Sequence, residues 1–476
     1  MENQTISNNK MGNMPVNKIM LSMGIPMIIS MALQAIYNVV DSYFVSCMKD
    51  TAEISNISDC AVNALTLAFP VQMLMVAIGV GTGVGINALL SKNIGSGNRE
   101  KGSRIAGNSI FLGICTYLVF LLFGIFGVKA YINSQTSNPV VSEMGISYLS
   151  ICTVFSFGIT MYLTYEKLLQ STGKTMLSTI AQVSGALVNI ILDPVLIFGY
   201  FGLPQMGIKG AAYATVIGQF VSFILDAVFH YKFNTQDIDT SLKYIKPEAE
   251  IIKEIYQIGI PAIIMQALMS FMTYGVNIIF ANVSEYAVTA YGVYYKIQQF
   301  VFFAAFGMNN AMIPIIAFNY GMNNQKRIND GIKYGMLYTI VIMIAGTILL
   351  QIFALPVVNI FSVSQETKDL CIKAVRIITL GYAFAGANIA YQGIFQALGK
   401  GIHSLVISLI RLIIAALPAA WVLSLLPSAK DVIWIAFPFA EAVAVIFSIV
   451  FMKKIRNEKY AETSLSGSHK IAYCKK

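Results

Sequence analysis

The sequence predicts an all-α polytopic membrane protein, with twelve transmembrane helices in two six-helix lobes related by a pseudo-twofold axis along the membrane normal. Three observations carry this. The 476 residues are 56% hydrophobic and 12% charged, with mean hydropathy +0.68, against roughly 25% charged in soluble domains. Apolar runs long enough to cross a bilayer, about 20 residues each, occur twelve times. The last six runs repeat the first six.

In chain order, a polar tail (1–15) leads into runs near 19–46, 61–90, 104–133, 145–170, 175–199 and 208–232, which make an N-lobe of 16–232. The first run is too long for a signal peptide and lacks a small-residue cleavage site, so it is expected to stay as an anchor. A connector rich in Asp, Lys and Glu fills 233–250. Six further runs, near 252–281, 287–319, 331–361, 369–397, 402–426 and 431–455, make a C-lobe of 251–455, and a basic tail occupies 456–476. Lys92, Arg99, Lys101, Arg104, Lys174, Lys243, Lys246, Lys326, Arg327 and Lys400 crowd one set of loops, while Lys49, Lys129, Lys209 and Lys430 are among the few on the other. By the positive-inside rule the crowded side, with both termini, is cytoplasmic.

The repeat is exact in spacing. Tyr165, Gly173, Ala61 and Gly95 return as Tyr391, Gly399, Ala287 and Gly321, each 226 residues on (391 − 165). Gly24-Ile-Pro26 returns as Gly259-Ile-Pro261 at 235, so the first outer loop is nine residues longer in the first half (235 − 226). Six is an even number of spans, so the halves run the same way through the membrane, with the transport path between or within them.

Chemistry concentrates in Leu187–Phe198, where Asn189 and Asp193 share one helical face and Pro194 interrupts the backbone ladder. A carboxylate in a span costs about 2.5–3.5 kcal/mol and faces a cavity or a partner. The first span supplies a second one: Gln34, Tyr37, Asn38 and Asp41 fall at i, i+3, i+4 and i+7, a polar stripe on an apolar helix. From the outer ends at Ser46 and Gly199, Asp41 and Asp193 lie at matching depths of roughly 8–9 Å. Such a pair can take up a proton, bind Na⁺ through oxygens of Asp41, Asn189 and Asp193, pair with a cationic solute, or form a structural hydrogen-bonded cluster. Competition between two of the first three is antiport.

Asn189-x-x-x-Asp193-Pro194 with Ile197-Phe198-Gly199 resembles the multidrug and toxic compound extrusion (MATE) family, especially its DinF-like branch. So do Gly24-Ile-Pro26, Asn38-Val-Val-Asp41-Ser-Tyr-Phe-Val45, Gly210-Ala-Ala-Tyr-Ala-Thr215 and the duplicated twelve-helix plan, over residues 16–455. The resemblance implies secondary active efflux of lipophilic or cationic organic compounds by alternating access, in exchange for inward H⁺ or Na⁺. It implies a bacterial plasma (inner) membrane. It carries ion coupling onto Asp41, Asn189 and Asp193, with Gln34 and Thr215 completing a polar network and Pro26 bending the first helix.

Glu166 sits near the end of the fourth span beside Lys167, where a surface-facing ion pair is expected ahead of a direct role. The positions equivalent to Asp41, Glu166, Asn189 and Asp193 are Val276, Gln392, Ala415 and Ala419. The second lobe lacks these carboxylates, which places coupling in the first. It carries instead Lys296, Arg411 and Glu441; depth alone pairs Lys296 with Glu441. Tyr291, Tyr294 and Gln298 could hold organic cations, aromatic faces contributing about 0.5–2 kcal/mol each, although packing is the commoner role of such stripes.

Other classes fit poorly. The six cysteines form no C-x-x-C pair and histidines number three, so no structural metal site is expected. There is no phosphate-binding glycine loop. No cofactor is expected, H⁺ or Na⁺ being cargo. Net charge +9 reflects basic loops rather than nucleic-acid binding. A membrane enzyme would need a nucleophile with a positioned base or a metal cluster. A lipid-linked oligosaccharide flippase of related fold would need a basic cavity. The expected partners are the bilayer and small cationic or amphipathic organic substrates, and the expected form is a monomer.

Overall fold

The computed structural model describes residues 9–48, 56–361 and 363–473; the side chains of Ala35, Tyr37, Asn38, Val39, Ser42 and residues 458–473 lie outside the described set. After one turn at Lys10–Asn13 come α1 (Val16–Ser46), α2 (Ile57–Gly95), α3 (Arg99–Gln135), α4 in two parts (Pro139–Val154 and Phe157–Ser171, bent by 43°), α5 (Thr175–Phe198) and α6 (Ile208–Phe233). Then follow α7 (Ala249–Ala281), α8 (Glu285–Gly321), α9 (Gln325–Asn359), α10 (Gln365–Ala397), α11 (Gly401–Ser424) and α12 (Ala429–Asn457). Among the described residues eleven are long and apolar enough to span alone, and the bent α4, taken as one span, makes a twelfth. Among the described residues there is no strand. Lipid offers no partner for backbone N–H and C=O groups, so an apolar span closes its own hydrogen bonds as a helix.

Capping residues punctuate these helices. Asn98 accepts from the Lys101 N–H, Asn138 from those of Val140 and Val141 with Pro139 at the first helical position, and Ser364 from that of Thr367. The sequence repeat returns as repeated turn geometry. Gly173 (φ 86°) and Gly399 (φ 76°) take the same left-handed conformation, and Lys174 N–H to Leu169 C=O (2.9 Å) matches Lys400 N–H to Phe395 C=O (2.7 Å). Gly97 and Asn323, also 226 apart (323 − 97), share positive φ, followed by Asn98 to Asn93 and Asn324 to Asn319 backbone bonds of 3.1 Å each.

The chain forms two compact units: 1–267 with 298–338 and 393–402, and 268–297 with 339–392 and 403–476. Within the first, a Cβ on Gly95 would lie 2.0 Å from the Phe318 carbonyl oxygen, and one on Gly321 would lie 1.9 Å from that of Lys92. Only glycine permits this approach of α2 and α8. At the same end Arg327 donates to the carbonyls of Met11 and Met14 (2.8 Å each), and Asn319 Nδ2 donates to Met11 as well (3.2 Å), which ties the N-terminal turn down.

The connector docks on α3. Arg104 pairs with Glu248, Ser103 Oγ accepts from the Asp239 N–H (2.8 Å) and Asn108 Oδ1 from the Glu248 N–H (2.8 Å), and Lys101 adds a pair to Glu254 in the first turns of α7 (3.0 Å). Lys174 completes the anchor on Asp237 at 2.5 Å.

Candidate functional site

The buried face of α5 includes Thr175, Ser178, Ala181, Gly185, Asn189, Asp193 and Leu196, a three-to-four spacing that sets the two polar residues inward. Gly185 and Gly218 let α5 and α6 touch: a Cβ on Gly185 would meet the Gly218 carbonyl oxygen at 2.4 Å, and one on Gly218 would meet Asn189 Cβ at 3.0 Å. That close approach seats Asn189 against α6. Pro194 leaves the Ile190 carbonyl without its helical donor, and Gly199 (φ 75°) ends the helix.

Asn189 Nδ2 donates to Asp193 Oδ1 at 3.3 Å and lies 3.5 Å from Thr215 Oγ1 on α6. Asp193 is fully buried and Asn189 nearly so. Asp41, from α1, is half-buried and within electrostatic reach of Asp193. Three enclosed acceptor oxygens have no hydrogen-bond partner: Asp41 Oδ1, Asn189 Oδ1 and Asp193 Oδ2. A buried acceptor without a donor is costly, so an added donor or cation would relieve these three oxygens. Two carboxyls, an amide and a hydroxyl are hard oxygen ligands, suited to a proton or Na⁺.

The expected residues divide clearly. Asn189, Asp193 and Thr215 come together, and Asp41 acts on Asp193 electrostatically from α1. Gln34 is half-buried on α1, while the side chains of Tyr37 and Asn38 lie outside the described residues. Pro26 lies within a continuous α1; its missing N–H frees the Ser22 carbonyl, and a Cβ on Gly307 would come within 2.8 Å of the Ile28 backbone.

Glu166 departs from expectation. It does pair with Lys167 (3.4 Å), but both are buried, at 8% and 5% exposure, instead of facing the surface. Gln170 explains this by bridging them, donating to Glu166 Oε1 (2.6 Å) and accepting from Lys167 Nζ (2.8 Å).

The second unit also corrects the sequence reading. Glu441 pairs with Arg411 at 2.5 Å and accepts from Asn388 at 2.8 Å, whereas Lys296 is exposed. Equal depth left the angle around the helix axis undetermined. Tyr291 and Tyr294 are 1% exposed; Tyr291 stacks on Phe437 with ring centroids 5.5 Å apart, and the Tyr294 hydroxyl lies 3.2 Å from that of Tyr382. They are core packing, not an open aromatic face. Gln298 is half-buried on α8.

Four residues escaped the sequence reading. Gln72 Nε2 donates to the Tyr148 hydroxyl (3.3 Å) and reaches Cys152 Sγ (3.6 Å); both of these sit in the field of Asp41. A glutamine two residues after Pro70 in an apolar span was the available signal. Asp226 is fully buried on α6, and the polar series Thr215, Gln219, Ser222, Asp226 and His230 at helical spacing would have exposed it.

The fold and the site together define a polytopic membrane transporter. The MatE family model matches residues 26–195 and 261–422, starting once at each of the repeated prolines. The chain belongs to the MatE family, and as such is a transporter and not an enzyme. It is 25% identical over 459 residues to the multidrug export protein MepA of Staphylococcus aureus (strain MRSA252), covering 94% of this chain and 96% of that protein. The Staphylococcus haemolyticus MepA is 24% identical over 440 residues, covering 92% and 94%. A solved outward-facing multidrug resistance MATE family transporter superposes with TM-score 0.86 at 23% identity, over 96% of this chain and 98% of that one.

Proposed function

We propose that this protein is a secondary active multidrug exporter that expels small cationic or amphipathic organic compounds in exchange for inward H⁺, with Na⁺ as the alternative ion, through Asp41 and Asp193. The supporting observation is the set of three unpartnered oxygens on Asp41, Asn189 and Asp193. An ion that satisfies them and a solute that competes with it give antiport. Each elementary charge crossing the membrane contributes about 2.3 kcal/mol per 100 mV, enough for uphill export with one or two ions. In this reading the protein is a monomer in a bacterial inner membrane with both termini cytoplasmic, and its lobes are 16–232 and 251–455. A lipid-linked oligosaccharide flippase is the alternative; of its two basic candidates, Arg411 is neutralised by Glu441 and Lys296 is exposed.

The test is uptake of a fluorescent lipophilic cation into inverted vesicles under a pH gradient or a Na⁺ gradient, for wild type, Asp41→Asn and Asp193→Asn. Transport that follows one gradient and is lost in both variants supports the reading and names the ion. Undiminished transport in both variants removes the pair from the mechanism.

A further inference from the structure

Asp226 is as fully buried as Asp193, and neither of its oxygens is hydrogen-bonded. It lies seven residues before the end of α6 at Phe233, about 10 Å, and eleven residues from Thr215, about 16 Å at 1.5 Å per residue. It is therefore separate from the Asp41–Asp193 site and nearer the end that carries the basic loops.

Its electrostatic neighbours are Glu166 and Lys167. Both Glu166 oxygens are taken, one by Gln170 Nε2 at 2.6 Å and one by Lys167 Nζ at 3.4 Å. Lys167 is committed to Glu166 and to Gln170 Oε1, and its stem is held against Gly83, where a Cβ would lie 2.8 Å from Lys167 Cγ. The other packed elements add little charge. On α5 the one charged residue is Asp193; α4 otherwise carries Glu143 at its far end; α1 carries Lys18 and Asp41. On α6 itself are Lys209, Lys232 and His230, the last committed to Thr240 Oγ1 at 2.9 Å and Asn234 Nδ2 at 3.1 Å.

The count is thus two carboxyls against one ammonium, and the ammonium is engaged. A buried anion with no donor and no counter-ion is far costlier than its neutral form. We propose that Asp226 is a second proton-binding site, set by the Glu166–Lys167 pair and joined to Thr215 by the polar face of α6 through Gln219 and Ser222. The ligand is a proton, which goes on and off a carboxyl oxygen. The site stands on local geometry, and its use in exchange rests on the exporter reading.

Infrared spectroscopy of the purified full-length protein over a pH series reads protonated carboxyl groups directly, without transport. In an Asp41→Asn, Asp193→Asn background a protonated-carboxyl band is expected to remain, and adding Asp226→Asn removes it. Glu166→Gln in the same background keeps Asp226 but frees Lys167 to pair with it, so the band is lost there too, which guards against a folding artefact. No band in the double variant, or a band unchanged by Asp226→Asn, overturns the proposal. Because vesicle transport is not the readout, its failure is distinguishable from failure of the exporter reading.

Discussion

Gly95 and Gly321, repeat mates 226 residues apart (321 − 95), each lie against a backbone carbonyl of the helix that carries the other, Gly95 against Phe318 and Gly321 against Lys92. Neither obstacle is a side-chain end that can swing aside. Gly321→Ala or Gly95→Ala is therefore expected to destabilise the purified protein by about 1–3 kcal/mol through overpacking. A lowered thermal midpoint for both checks this; unchanged midpoints would mean that the two helices separate freely here.

Arg411 and Glu441 form a buried pair at 2.5 Å. Glu441→Gln removes the carboxylate charge beside a buried guanidinium, at a cost of about 3–5 kcal/mol. The double variant Arg411→Met, Glu441→Leu removes both charges and should recover most of it. Lys296→Ala, at an exposed position, is expected to stay within about 0.5 kcal/mol of wild type. Thermal unfolding of the four proteins decides the matter, and a large Lys296→Ala effect would restore the Lys296–Glu441 pairing.

Arg327 holds the N-terminal turn through two carbonyls at 2.8 Å. Hydrogen bonds to a charged group contribute about 1.5–3 kcal/mol, so Arg327→Ala should loosen residues 9–15. Amide exchange in that segment is expected to accelerate about tenfold or more, at 1.4 kcal/mol per tenfold change. Equal exchange in both proteins would show that the turn is held by burial of Met11 instead.

The connector should loosen in acid. The Arg104 guanidinium beside Glu248 holds its carboxyl below the usual carboxylate range, and the Ser241 N–H does the same for Asp239. A folded value lower than the unfolded one gives stability that is complete above the unfolded carboxylate range and is lost as pH falls through the folded value. Amide protection of residues 233–250, corrected for intrinsic exchange, should fall through that window, and Glu248→Gln should weaken the dependence. A pH-independent wild type would refute the link.

The sequence by itself determined what one helix or one repeat can encode. Apolar runs gave the spans. The 226-residue spacing foresaw turns that do share φ angles at Gly173 and Gly399. The four-residue spacing of Asn189 and Asp193 put both on the buried face of α5. Tertiary structure alone decided which faces meet. Depth in a membrane is a single coordinate, so it could not choose between Lys296 and Arg411 as the partner of Glu441, nor tell that Gln170 would draw Glu166 and Lys167 inward. Asp226 is legible as one polar residue on α6, but its lack of any partner depends on α4 and α5 closing around it. Periodicity fixes a residue's face and height, whereas its chemistry is set by the neighbours that packing brings, and those come from elsewhere in the chain.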